Sequence, residues 1–260
     1  MLDYEFMRTA FAASGVVGVL AGIVGYFLVL RGQAFAAHAL AHVGFTGAAG
    51  ALLIGAPPLA GMAVATLAAG GLMGVLGAES EARDLAIGIV LAGALGAGLL
   101  LLHFAASSAA PATALLFGNV FGTDWGGVAA LAGLAAVSLA ALSRLARPLL
   151  FVSLHPDLAE ASGVSPRYAG TLFLLIVALA IAASAQLTGV LLVFVLTVAP
   201  AATAQRLSRG VLRGVALAAA IAVADAWGGI AISYATDWPP SAAITGLSLG
   251  VYLLARTRGG

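Results

Sequence analysis

Residues 31–50 read RGQAFAAHALAHVGFTGAAG. The run opens on an arginine and then stays apolar, apart from Gln33, His38, His42 and Thr46. It has the length of a membrane-crossing helix, about 20 residues for about 30 Å of hydrocarbon. His38 and His42 are two of the chain's four histidines. Residues four apart share a helix face, with Cβ atoms roughly 5–6 Å apart. Two imidazoles that close, where polar groups are costly, call for a function.

The whole chain supports the membrane reading of this stretch. Its 260 residues are 62% hydrophobic and 8% charged, with a mean hydropathy of +1.12. A soluble domain carries about 25% charged residues, and a chain this apolar could not cover a water-facing surface. The 34 glycines fit close helix packing in a bilayer. Cysteine is absent, which removes disulfides, iron–sulfur clusters and thiolate metal ligands. Lysine is absent too, so the chain cannot carry a standard phosphate-binding P-loop. If ATP drives the protein, the ATPase is a separate chain. The first residues, MLDYEFMR, do not read as a cleaved signal peptide. Nothing here suggests a nucleic-acid partner.

Nine apolar stretches are long enough to cross: 9–30, 34–54, 58–77, 85–104, 127–143, 168–185, 188–205, 211–234 and 241–255. The pair 168–185 and 188–205 is separated by very little, so one of the two is expected to be short or broken, and the count is eight or nine. Arginines mark alternate connections. Arg31, Arg83, Arg144 with Arg147 and Arg167, Arg206 with Arg209 and Arg213, and Arg256 with Arg258 lie on one side. The other connections hold no arginine, and Arg8 alone departs from the rule. Nine spans with the basic side inside put the N-terminus outside and the C-terminus in the cytoplasm. The outer connection 105–126 is expected to include a short helix. The inner connection 143–167 contains PDLAEASG (156–163), which reads as another. There Pro156 suits the first turn, Asp157 the positive end of the helix dipole and Gly163 the stop. A docking piece and an ordinary loop helix are both open readings of it.

Arg31 sets the depth of the histidines. At 1.5 Å per residue, His38 lies roughly 10 Å and His42 roughly 16 Å from that edge, the second near the midplane where transporters hold cargo. Neutral imidazole suits zinc and related transition metals. The alternative is a hydrogen bond from each ring to a neighbouring helix. An intramembrane metalloprotease would need H-E-x-x-H, and Ala39 stands where its glutamate would be. Passage of a metal fits better than hydrolysis. Asp225, mid-span in 220–234, either faces a metal path or bonds another helix. His103 is expected at an outer interface. His155 is explained by docking or by plain solvation. Glu79, Glu81, Arg83 and Asp84 read as a solvated turn, and Gly18/Gly22 and Gly70/Gly74 as small-residue packing pairs.

Three stretches resemble the permease family of zinc- and manganese-type ABC importers. These are GYFLVLRGQAFAAHALAHVGFTG (25–47), LHPDLAEASGV (154–164) and QLTGVLLVFVLTVAPAATA (186–204). The second is similar to the family's F-D-P-x-x-A-x-x-x-G coupling segment, and the third to its Q-x-x-G-x-L-L-V…P-A-A-x-A run. The resemblance implies a single all-α integral membrane permease domain over 1–260, with eight or nine spans and a fold related to the cobalamin-importer permeases. It implies a coupling segment at about 148–167, with His155, Pro156, Asp157, Ala159 and Gly163 at the ATPase contact. The partners it implies are an ATP-binding cassette subunit, an extracytoplasmic metal-binding protein and a second copy of the chain. The setting it implies is a bacterial inner membrane. No cofactor is expected to be permanently bound; the metal is cargo. Two positions depart from the pattern, which has aspartate where this chain has His38 and where it has His155. His42 matches. A nitrogen-richer face tilts the cargo from manganese toward zinc, with manganese, iron or an ATP-independent carrier as the alternatives. The metal residues expected are His38, His42 and Asp225.

Overall fold

The computed structural model describes residues 3–76, 80–105, 114–190 and 192–258. Glu79 lies outside the described residues, as does 106–113 of the outer connection. Ten helices carry the described chain: α1 (Glu5–Leu30), α2 (Ala34–Leu53), α3 (Pro58–Leu76), α4 (Ser80–Ala105), α5 (Trp125–Leu154), α6 (Pro156–Ala161), α7 (Pro166–Thr188), α8 (Val193–Leu207), α9 (Val211–Thr236) and α10 (Pro240–Arg258). No strand occurs among the described residues. This is the fold class expected: in hydrocarbon a backbone must satisfy its own N–H and C=O groups, and the helix does so within one segment. Seven of these helices are long and apolar enough to cross a membrane, and α8 is apolar but shorter. With α10 they match the nine stretches read from the sequence. Residues 114–117 form one helical turn in the described part of the outer connection.

The boundaries differ at two places. The span read as 127–143 continues as helix to Leu154. At 1.5 Å per residue its 30 residues reach about 45 Å, well past a hydrocarbon core. The extension holds because it is amphipathic: Leu149 is fully buried and Val152 nearly so, while Arg144 and Arg147 are exposed. Pro148 lies inside it. The carbonyl that this proline leaves unbonded is that of exposed Arg144, which water can serve. The second difference is α8. It has 15 residues and starts at Val193 rather than 188, so the short member of the doubtful pair is the later one.

The chain divides into two compact units. One comprises residues 1–34, 107–135 and 183–260. The other comprises 35–106 and 136–182. In the first, α1 packs on α8 and α9, and α10 packs on both of them. Small residues set these distances. A Cβ on Gly18 would stand 3.0 Å from the Val223 Cα, and one on Gly22 2.6 Å from the Ala219 Cα. One on Gly25 would overlap the Thr197 carbonyl. At the arginine end, the Gln205 side-chain amide donates to the Tyr26 carbonyl (2.9 Å) and Arg206 lies 5.8 Å from the Tyr252 ring centre. In the second unit, the backbones of Gly47 on α2 and Gly61 on α3 touch, and Gly70 and Gly74 of α3 abut Leu174 and Thr171 of α7. Both glycine pairs read from the sequence are therefore packing contacts, while Gly47/Gly61 is an additional one.

Bilayers supply no hydrophobic force between helices, so these approaches carry the packing. Gly22→Val should lower the thermal stability of the purified protein by at least about 1–3 kcal/mol, the cost of overpacking. Gly250→Val, where a Cβ meets open space, should stay within about 0.5 kcal/mol. Thermal unfolding of the two variants in one detergent checks this.

Candidate metal face and coupling segment

Helix α2 is 20 residues long, and most of its surface is buried. Its partly open positions include Phe35, His38, His42, Thr46, Gly50 and Leu53. They recur every three or four residues and so form one stripe. Both histidines lie on it, half-buried, while Ala37, Ala39, Ala41 and Val43 beside them are buried. The sequence puts alanine and valine at the buried positions of α2, and imidazole at partly open ones. The two rings stand edge to face with centres 4.8 Å apart. Two imidazoles sharing one zinc at about 2.0–2.1 Å per Zn–N bond, at a tetrahedral angle, would have centres about 5 Å apart. The centre spacing is of the same order, as imidazoles at i and i+4 of one helix can reach.

Thr46 continues the stripe one turn beyond His42. Its hydroxyl donates to the Ala94 carbonyl on α4 (2.5 Å), with the His42 carbonyl as a second acceptor at 3.2 Å. Nothing in the sequence singles out this threonine except its spacing of four from His42. Among the described residues no three His, Cys, Asp or Glu side chains gather as a metal cluster.

Asp225 belongs to the other unit, on α9, and is 3% exposed. Of the two readings of this residue, the bond to another helix is present: the Ser248 hydroxyl on α10 donates to its Oδ2 at 2.6 Å. Ser248 is itself buried. Sequence reading left this partner unnamed, because a serine in an apolar helix is not unusual. His103 is exposed near the end of α4, its ring 5.5 Å from that of Phe104. Of Glu81, Arg83 and Asp84 only the backbone is described, in the first turn of α4 rather than in a loop.

The segment 156–163 forms α6 and its stop. Pro156 is at the first position and exposed His155 is the N-cap residue. Gly163 has φ +81°, where L side chains are strained. The Gly163 N–H bonds the Glu160 carbonyl (3.0 Å) and the Val164 N–H bonds the Ala159 carbonyl (2.9 Å). This pair of bonds is the Schellman termination. Fully buried Ala159 packs with Val152 of α5 and Ala169 of α7. Leu154 and Leu158 are 62% and 59% exposed, beside exposed Asp157 and Glu160. The short helix is therefore anchored by one alanine and presents leucine and acid outward.

The sequence pattern of the ABC 3 transport family matches residues 3–258. The chain belongs to that family, and it is a multi-pass membrane permease of a metal ABC importer. It is 28% identical over 256 residues to the manganese transport system membrane protein MntC of Halalkalibacterium halodurans, covering 98% of this chain and 88% of that one. It is 27% identical over 255 residues to a probable iron transport system membrane protein of Haemophilus influenzae, covering 98% and 94%. Among solved structures it resembles PsaBC from Streptococcus pneumoniae in complex with Fab. That match has a TM-score of 0.87 and 25% identity, and covers 97% of this chain and 91% of that one.

The bond between α9 and α10 gives a direct test. Ser248→Ala should cost about 1 kcal/mol of stability, as hydrogen bonds between membrane helices do. Asp225→Ala and the double variant complete a mutant cycle, and the coupling should be non-additive. Additive losses would show that the 2.6 Å contact carries no energy.

Proposed function

We propose that this chain carries zinc across the membrane, along the open stripe of α2, as one of two identical subunits. His38 and His42 supply two nitrogen ligands, and water completes the shell. An open shell of this kind releases its ion, which a closed four-ligand site would not. The observation that carries the reading is the pair of imidazole rings 4.8 Å apart on a partly open stripe of a mostly buried helix. Asp225, which the sequence also offers to the metal path, ties α9 to α10 through its Oδ2.

The chain hydrolyses nothing itself. A separate ATPase docks on the segment 148–167, where Leu154 and Leu158 offer an apolar contact with acid beside it. His155, Pro156, Asp157, Ala159 and Gly163 shape that contact. A metal-binding protein delivers cargo to the opposite, arginine-poor end. The N-terminus lies outside and the C-terminus in the cytoplasm, which the alternation of arginines supports.

Manganese is the second reading. Relatives at 26–28% identity are named as manganese transport proteins. Zinc is placed first because the donors on this face are nitrogens, and manganese favours oxygen ligands.

The complete complex, reconstituted with its ATPase and binding protein, should take up zinc in preference to manganese. His38→Ala with His42→Ala should lower zinc uptake by at least about tenfold, the lower end of what losing even a hydrogen-bond partner of a ligand costs. Unchanged uptake in the double variant would remove the pair from the path, and a preference for manganese would select the second reading.

A further inference from the structure

Helix α4 is the least enclosed of the long helices. Few residues of its apolar stretch 87–104 are buried, whereas most of those of α2 are. Cβ atoms added at Gly88, Gly93 or Gly96 would meet nothing within 4 Å. The exception is Gly98, where a Cβ would come within 2.8 Å of the Phe45 ring and 2.9 Å of the Thr46 hydroxyl. One turn before it, the Ala94 carbonyl accepts the Thr46 proton at 2.5 Å. The lightly held helix, which also packs on α3, thus touches the histidine helix beside His42.

The hydroxyl has one proton and two acceptors within reach, Ala94 O at 2.5 Å and His42 O at 3.2 Å. If α4 moves away, the proton passes to the His42 carbonyl. The Ala94 carbonyl keeps the bond of its own helix, so neither group is left bare in hydrocarbon. The contact can therefore open at little cost. A threonine that bonds the carbonyl four residues back also tends to bend its helix. The turn that would bend is the one bearing His42.

We infer that Thr46 is a positioning residue of the transport path: its hydroxyl latches α4 to α2, and release of the latch re-aims His42. Metal entry or exit then requires α4 to leave α2. This rests on the proposed role of the His38/His42 face, but its test reads a helix contact and is independent of which metal passes.

A Cβ on Gly50 would lie 3.6 Å from the Leu101 side chain, across the same α2–α4 seam. The chain has no cysteine of its own. In the reconstituted complex, Gly50→Cys with Leu101→Cys can be bridged by a short, reducible thiol cross-linker. Uptake by the double-cysteine complex before cross-linking is the reference; cross-linking should stop that uptake of zinc, and of manganese if that is the cargo, and reduction should return it to the reference. Cross-linked complex that transports as fast as reduced complex would overturn the latch. In parallel, Thr46→Val should slow maximal uptake by about fivefold, the shift expected for one lost neutral hydrogen bond. The metal KM should change less than the maximal rate, and Thr46→Ser, which keeps the proton, should restore the rate. Wild-type uptake in Thr46→Val would also overturn it. If Thr46→Val does not fold, the cross-link arm decides. A failed latch with an intact effect of the His38/His42 variants would leave the metal face standing.

Discussion

Hydrocarbon offers no partner to a backbone amide, and this constraint decides the architecture. Each crossing segment must close its own hydrogen bonds, so the described chain is helical and its elements follow the apolar stretches. The same solvent removes the usual force between helices, because lipid tails are as apolar as leucine. What remains is close contact. Gly18, Gly22 and Gly25 bring α1 against α9 and α8, and Gly47 with Gly61 does the same for α2 and α3.

Against that apolar background the buried polar groups divide by what they meet. Asp225 and Ser248 meet each other, and their bond ties α9 to α10. Thr46 meets a carbonyl on α4. His38 and His42 differ in lying on the one stripe of α2 that neighbouring side chains leave partly open. A transport path needs groups that bind and release, and a half-buried imidazole pair suits that better than a fully buried and bonded carboxylate. The closure of the chain is therefore unequal: Asp225 and Ser248 are buried and bonded to each other, while the two imidazoles lie on a half-buried stripe.

Much of this was legible in the sequence. Hydropathy and the arginine alternation placed nine stretches, and each became a helix. Gly163 was read as a stop, and it holds the left-handed conformation that a Schellman end requires. The histidine face followed from a spacing of four. The early end read for α5 has a plain cause. Hydropathy windows end where charges begin, so Arg144 and Arg147 were taken to end α5, although Leu145, Leu149 and Val152 continue a helical face past them. Contacts between helices distant in sequence, such as Ser248 with Asp225 or Thr46 with Ala94, have no local signature at all. A serine or threonine in an apolar run looks alike whether it bonds its own helix or another.

The central claim is that the cargo metal is held by the imidazoles of α2. X-ray absorption at the metal edge of the complex, trapped with cargo between delivery and release, reads the ligand atoms directly. The account predicts about two nitrogen ligands from each histidine pair at about 2.0–2.1 Å for zinc, with histidine scattering that disappears in His38→Ala/His42→Ala. A shell made only of oxygen, unchanged in that variant, would contradict it.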